Sequence, residues 1–292
     1  MQIGVALPLP QDVFGTEVAA LRDYATAVEE LGFEHLTVFD HLVGTDPAKS
    51  SGVRMRYTHK SVWHEPLVTL GWIAAMTRRI QLVTGVLVAP LRQPVLLAEQ
   101  VAQLDVLSGG RVTLGVGVGV NPIEYRAAGV DFARRGEVLD EQLELLRALW
   151  TKPTVTATFH GGELVASGLN PLPVQRPVPV FVGGRSERAL RRAARLAQGH
   201  LLMTLDPDPG ATVRRMTDLL TECGRPTDGF GFHGFLDTVT GGPDTWRERA
   251  EDARAAGITR ISVLTAHPSL GTAGDGADLV GHLARVADAL LR

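Results

Sequence analysis

The chain predicts an α/β fold, most simply a (β/α)8 barrel with insertions in its βα loops, and three observations carry that reading. Short apolar runs alternate with amphipathic stretches along nearly all of the 292 residues, a pattern that builds a parallel sheet covered by helices. The length suits a closed barrel, for which about 250 residues is typical. The glycine-rich phosphate fingerprint usual after the first strand of an open doubly wound sheet is missing. An open sheet stays as the alternative architecture.

Residues 2–8 predict the first strand. Residues 17–31 then predict a helix, with Val18, Leu21, Ala25 and Val28 on one face and Gly32 as its stop. A second strand, 35–39, ends at Asp40-His41, and a polar loop over 42–63 leads to an apolar helix over 66–77. Residues 80–88 read as a single third strand. Its helix opens at Pro94, where a missing N–H costs nothing, and closes at Gly109-Gly110. The fourth strand runs through Gly115, Gly117 and Gly119, and Asn121-Pro122 argues against a helix starting directly behind it. Further helices are expected over 137–150, 187–198, 211–222, 244–256 and 276–291, and further strands over 178–182, 200–205, 233–239 and 259–265. Residues 152–177, rich in Pro and Gly, form an excursion with short strands. No linker, repeat or low-complexity tract divides the sequence, so one domain is expected over 1–292 with insertions at 42–63 and 152–177.

Composition narrows the function classes. A net charge of −3 exerts no long-range pull on nucleic acid or anionic membrane. The one cysteine, Cys223, rules out an internal disulfide framework and fits a reducing cytoplasm. Met1 leads straight into a strand-like run with no secretory pattern, and no apolar run is long enough to span a bilayer. The nine histidines show no metal-ligand spacing, and no serine lies in a nucleophile elbow. The loop cluster Arg54, Arg56, Tyr57, His59 and Lys60 is too short for a nucleic-acid surface. It reads as a solvated face, or as a lid that meets an anionic group.

Barrel chemistry collects at the carboxyl ends of the strands, and four places there stand out. In the fourth strand Gly115, Gly117 and Gly119 share one face and leave it without side chains. Either a flat ligand rests there, or the glycines permit a bend. Asp40-His41 offers a carboxylate beside the side chain best suited to proton transfer at neutral pH, although adjacent strand residues point oppositely and a plain loop cap is the alternative. Thr84-Gly85-Val86 reads as a bulge against a ligand or as ordinary core strand. Gly183-Gly184-Arg185-Ser186 joins a strand to a helix, an arrangement that offers free backbone N–H groups to a phosphate, or simply caps the helix.

In the right order along nearly the whole chain, these segments resemble the luciferase-like monooxygenase superfamily. The residues that carry the likeness are Phe39-Asp40-His41, Trp63-His-Glu-Pro-Leu67, residues 79–86, Pro94-Val-Leu-Leu-Ala-Glu-Gln100, residues 107–112, Gly115–Gly119 with Asn121 and Tyr125, and residues 182–186. Within that superfamily the chain is most similar to the actinobacterial branch of oxidoreductases that use coenzyme F-420, an 8-hydroxy-5-deazaflavin.

The resemblance implies a barrel of the bacterial-luciferase type and a site that can be placed residue by residue. The ring of the cofactor would lie against Gly117 and Gly119, with Asn121 nearby and a cis peptide at Gly85-Val86, next to Thr84, bulging behind it. The tail phosphate would sit at Gly183, Gly184, Arg185 and Ser186. Asp40 and His41 would flank the reactive carbon as catalytic residues, His41 donating or accepting the accompanying proton and Asp40 binding and positioning the cofactor or orienting the imidazole. Trp63, Glu65, Val120 and His200 would wall the substrate pocket. Two departures bear on activity. Sugar-phosphate dehydrogenases of the branch use a glutamate where this chain has Val120, and relatives often show Asp-Gly-Trp where it reads Gly199-His200-Leu201.

The implied activity is hydride transfer between C5 of coenzyme F-420 and a small organic substrate, in a cytoplasmic and homodimeric enzyme with no metal. The apolar helix near 67–76 would supply a buried or subunit-contacting surface. The alternatives are an FMN-dependent monooxygenase that activates oxygen, a non-catalytic flavin or deazaflavin carrier, and a barrel lyase or isomerase for a phosphorylated substrate.

Overall fold

The computed structural model describes all residues except 10, 15–16, 50–56, 203, 205, 268–269 and 274–277. Ser51, Arg54 and Arg56, and with them the basic part of the expected lid, lie outside the described residues. Among the described residues, eight parallel strands close into a barrel: β1 Gln2–Ala6, β2 His35–Val38, β3 Gln81–Thr84, β4 Val112–Gly117, β5 Val180–Gly183, β6 Gly199–Leu201, β7 Gly231–Asp237 and β8 Arg260–Leu264. Each pairs with its neighbours in chain order, β1 also pairs with β8, and β3 pairs with β4. The open doubly wound sheet is thereby excluded.

Helices α1 Val18–Glu30, α2 Pro66–Met76, α3 Pro94–Ser108, α4 Pro122–Ala127, α5 Arg135–Thr151, α6 Glu187–Leu196, α7 Pro209–Glu222, α8 Pro243–Ala255 and α9 Leu279–Leu290 follow the strands. Their starts obey local chemistry. The side chains of Glu65, Gln93, Asn121, Ser186, Asp208 and Asp278 each accept a first-turn backbone N–H. Gly109 ends α3 in the left-handed region at φ 71°. No helix among the described residues is long and apolar enough to cross a membrane.

Two expectations about the elements need correction. Residues 80–88 do not form one strand. After β3 the chain bulges through a cis Gly85-Val86 peptide, and Leu87–Val88 then pairs with β4. A helix also starts directly after the glycine strand, with Asn121 as its cap and Pro122 in its first turn. Proline there is a starter, because its fixed φ already suits a helix. The excursion at 152–177 holds an antiparallel hairpin, Val155–Phe159 with Gly162–Ser167.

The core fills the space between strands and helices, and every residue of β4 is buried, as both faces of a barrel strand are covered. Trp150 anchors α5 to α3, its indole N–H donating to the Ala98 carbonyl at 2.9 Å. On α2, buried Leu70 and Ile73 face inward while Val68 is exposed.

Inside the barrel two polar layers lie under the mouth. At the amino end Arg260 donates to Gln2 Oε1 at 2.9 Å and Gln81 Oε1 at 2.7 Å. Above it the Ser262 hydroxyl lies within 2.9 Å of His35 Nε2 and 2.8 Å of both His233 Nε2 and Thr37 Oγ1. A Cβ on Gly4 would fall 2.3 Å from the His35 ring, so only glycine lets that imidazole lie across β1.

Candidate active site

At the carboxyl end of the barrel a cavity of about 250 Å³ opens, walled by Phe39, Asp40, His41, Gly85, Val86, Val88, Gly117–Val120, Gly183, Gly184, Leu201, Leu202, Thr204 and Phe235. Strand alternation explains the wall: residues of one parity on β2, β4, β5, β6 and β7 point into the barrel. Phe39 and Phe235 stack with centroids 5.7 Å apart and make an aromatic face. Asp40 and His41 are the titratable groups in this lining.

The glycine strip is not bare. A Cβ on Gly117 would lie 2.7 Å from Val86 Cγ2, one on Gly183 2.6 Å from Val86 Cγ1, and one on Gly119 2.7 Å from Val88 Cγ1. Valines of the bulge therefore occupy the space that the glycines vacate. The mouth above them stays open, so a planar ring entering it would meet Val86 framed by glycine backbone.

Asp40 is buried, and its carboxylate is fully engaged away from His41. It accepts the Val88 N–H at 2.7 Å and a two-pronged ion pair from Arg92 at 2.6 and 3.0 Å. Arg92 also donates to Glu65 Oε1 at 3.0 Å. Burial alone would lower the Arg92 guanidinium, but Asp40 and Glu65 outweigh it and hold its pKa above the usual value. The expected role of Asp40 in orienting the imidazole is corrected accordingly: its charge is matched within the protein, and it staples β2 to the Leu87–Val88 segment.

The imidazole is oriented by a residue that sequence reasoning passed over. His41 Nδ1 lies 3.2 Å from Glu124 Oε1, on α4. The same oxygen accepts the Leu42 N–H at 2.8 Å and the Tyr57 hydroxyl at 3.2 Å. Asn121 Nδ2 donates to the Tyr57 oxygen at 2.8 Å, while Asn121 Oδ1 caps α4. Tyr57 and Trp63 pack on the His41 ring with centroids 3.9 and 4.5 Å away. Glu124 is 1% exposed. Burial pushes its carboxyl up, yet the His41, Leu42 and Tyr57 contacts overcome this and leave its pKa lowered. Tyr57 is held above its usual value, first by burial and then by the Glu124 charge, so it stays a donor. A signal existed: Asn121-Pro-Ile-Glu124 has the spacing of a capping box.

Other expected residues fall in different places. Gly85, Val86, Gly117, Gly119 and Val120 line the mouth, Val120 at its rim with 71% exposure. Thr84 does not; its hydroxyl is buried and donates to the Gly115 carbonyl at 2.7 Å. Asn121 is fully buried, both ends of its amide used inside the protein. Glu65 caps α2 and holds Arg92 outside the cavity lining. Trp63 backs His41 from behind. His200 is out of step with Leu201 on β6 and lies outside the lining, and burial pushes its imidazole down to about 4.

At the far rim, Gly183 and Gly184 line the mouth, Gly184 with φ 124°. Ser186 accepts the Ala189 N–H at 3.2 Å, which leaves its hydroxyl proton free to donate. Arg185 is exposed and not in the lining, while Glu187 is drawn sideways into ion pairs with Arg191 at 2.8 Å and Arg215 at 2.6 Å. The first turn of α6 follows directly on this rim, and the helix dipole there favours an anion.

Comparison with known proteins gives the family and the fold. The family model for luciferase-like monooxygenases matches residues 1–282. The chain belongs to that family. It is an oxidoreductase of the luciferase-like type, with the closed parallel barrel that the alternation of elements predicts. An uncharacterized protein of Mycobacterium tuberculosis is 34% identical over 218 residues, covering 72% of this chain and 74% of the relative. The F-420-dependent glucose-6-phosphate dehydrogenase of Amycolatopsis mediterranei is 32% identical over 188 residues, but the match spans only 52% of that enzyme and 62% of this chain. Among solved structures, the monooxygenase RslO1 from Streptomyces bottropensis superposes with a TM-score of 0.81 at 21% identity, covering 100% of this chain and 99% of the other. An F-420-dependent secondary alcohol dehydrogenase bound to an F-420–acetone adduct gives 0.80 at 16%, covering 99% and 98%. At those identities the superpositions speak for the fold.

Proposed function

We propose that this luciferase-like enzyme uses coenzyme F-420 and exchanges a hydride with a small, uncharged organic substrate in the barrel mouth. The observation that carries the reading is the open cavity whose wall brings together Val86, glycine backbone and one imidazole, with the start of α6 following directly on its Gly183–Gly184 rim. The residues fit the group: a Cβ at Gly183 would fill the cradle beside Val86, and Ser186 and the α6 amides suit a phosphate tail. When bound, the deazaflavin supplies the carbon that gives or takes hydride.

The protein's own share is positioning. Val86, with Gly117 and Gly119, backs one side of the mouth, and Phe39, Phe235, Leu201 and Leu202 keep the opposite side apolar and dry. His41 holds or takes the proton that accompanies hydride movement, at Nε2, because Nδ1 is engaged by Glu124. Among the described residues the lining includes no arginine or lysine, which supports a neutral alcohol, carbonyl or conjugated alkene over a sugar phosphate. Val120 in place of the glutamate of the sugar-phosphate enzymes points the same way.

Titration of the purified protein with coenzyme F-420 and with FMN, followed by cofactor fluorescence, tests the reading. Saturable binding of the deazaflavin is expected. Tight binding of FMN alone would replace the reading with the oxygen-activating one, and binding of neither would end both.

A further inference from the structure

The geometry points to Glu124 as the positioning residue of the active site: its buried carboxylate holds His41 with the proton on Nδ1, so that Nε2 is the lone-pair nitrogen presented to the barrel mouth. Three observations converge on this. Glu124 Oε1 lies 3.2 Å from His41 Nδ1, and a carboxylate can only accept, so the hydrogen between them belongs to the imidazole. The carboxylate cannot swing away, because the Leu42 N–H and the Tyr57 hydroxyl fix the same oxygen at 2.8 and 3.2 Å. The ring cannot rotate freely either, packed against both Tyr57 and Trp63.

Asn121 extends the arrangement one step further. Its amide donates to the Tyr57 oxygen, which turns the phenolic proton toward Glu124. Asn121 donates to Tyr57 and Tyr57 to Glu124, while His41 donates to Glu124 from the other side, so the donors converge on the carboxylate and the imidazole is left with a defined tautomer. Asp40, the carboxylate next in sequence to His41, takes no part, being held by Val88 and Arg92. Glu124 also supplies a counter-charge when Nε2 takes up a proton. It lies outside the cavity lining, so it acts through His41. The tautomer is a property of the protein alone; the catalytic consequence rests on the hydride-transfer reading above.

Long-range proton–nitrogen correlation spectra of uniformly ¹⁵N-labelled protein without cofactor, at pH 8, report the tautomer of each histidine, and the His41→Asn variant identifies the His41 signals. Nδ1-protonated imidazole is expected for the native chain. Glu124→Ala should convert it to a mixture or to the Nε2-protonated form. Glu124→Gln retains an acceptor and should keep the tautomer, yet lose the counter-charge. Partners that orient an imidazole are worth on the order of 10- to 100-fold at metal sites, and a loss of that order in kcat with unchanged cofactor affinity is expected for Glu124→Ala, with Glu124→Gln, which keeps the orientation, closer to the native enzyme. An unchanged tautomer or full kcat in Glu124→Ala overturns the assignment. Should Glu124→Ala fail to fold, the native tautomer still decides: a native His41 protonated on Nε2 is incompatible with it. If no cofactor supports turnover, the hydride-transfer reading fails while the spectra still test the positioning.

Discussion

His41 and Glu124 stand 83 residues apart in the chain and 3.2 Å apart in space, and the difference explains what the sequence shows at this scale. His41 is conspicuous because it ends a strand beside an acid, but its structural partner sits on a short helix reached only through the fold. Asp40 looked like that partner and is instead spent on Arg92, 52 positions away. Replacing His41 by Ala should lower kcat by ~10²–10⁴-fold, the usual range for a general acid or base, while cofactor affinity changes little because the mouth keeps its other walls. Steady-state kinetics beside a binding titration checks both halves. A His41→Ala enzyme with native turnover would leave the proton with solvent or another group.

The elements themselves were far more legible than their joints. Strands and helices announce themselves through period and caps, and Pro94, Gly109 and Ser186 act in the structure as their chemistry predicts. The bulge at Gly85-Val86 is signalled by the glycine and by the cis peptide that the resemblance implies, and the structure has it; what nothing local records is that the second half of 80–88 leaves β2 for β4. The start of α4 was misread because Pro122 was weighed as a breaker, although Asn121 before it and Glu124 after it complete a start signal.

That joint yields a packing prediction. Gly117→Ala would place its methyl 2.7 Å from Val86 Cγ2, and overpacking of this kind costs about 1–3 kcal/mol. Combining it with Val86→Ala should be clearly less damaging than the sum of the two, with a coupling of roughly 0.5 kcal/mol or more, as residues in contact show. Urea unfolding of the four proteins measures it, and strict additivity would mean that the glycine is there for some other reason.

For the whole molecule, the buried histidines govern the response to acid. His35 and His233 are fully buried, and desolvation first, then neighbouring charges including Arg260, holds both well below the ordinary histidine value. His200 is pushed down to about 4, chiefly by desolvation. All three are therefore neutral in the folded protein where the unfolded chain is already protonated. The sign follows: their contribution is fully present above about pH 6.5, and is lost as pH falls. Each such group removes up to ~1.4 kcal/mol of stability per pH unit below its unfolded value. Unfolding free energies should therefore drop between pH 6.5 and 4.5, above the range where carboxylates titrate. A flat profile across that window would show that these rings are solvated or paired in a way that lets them charge.

The polar floor built from Arg260, Gln2 and Gln81 carries one more implication. It closes the amino end of the barrel, so a guest of the cavity at the carboxyl end does not leave through the floor. On the proposed hydride-transfer reading, a ring seated deep beneath the reactant would arrive first and depart last.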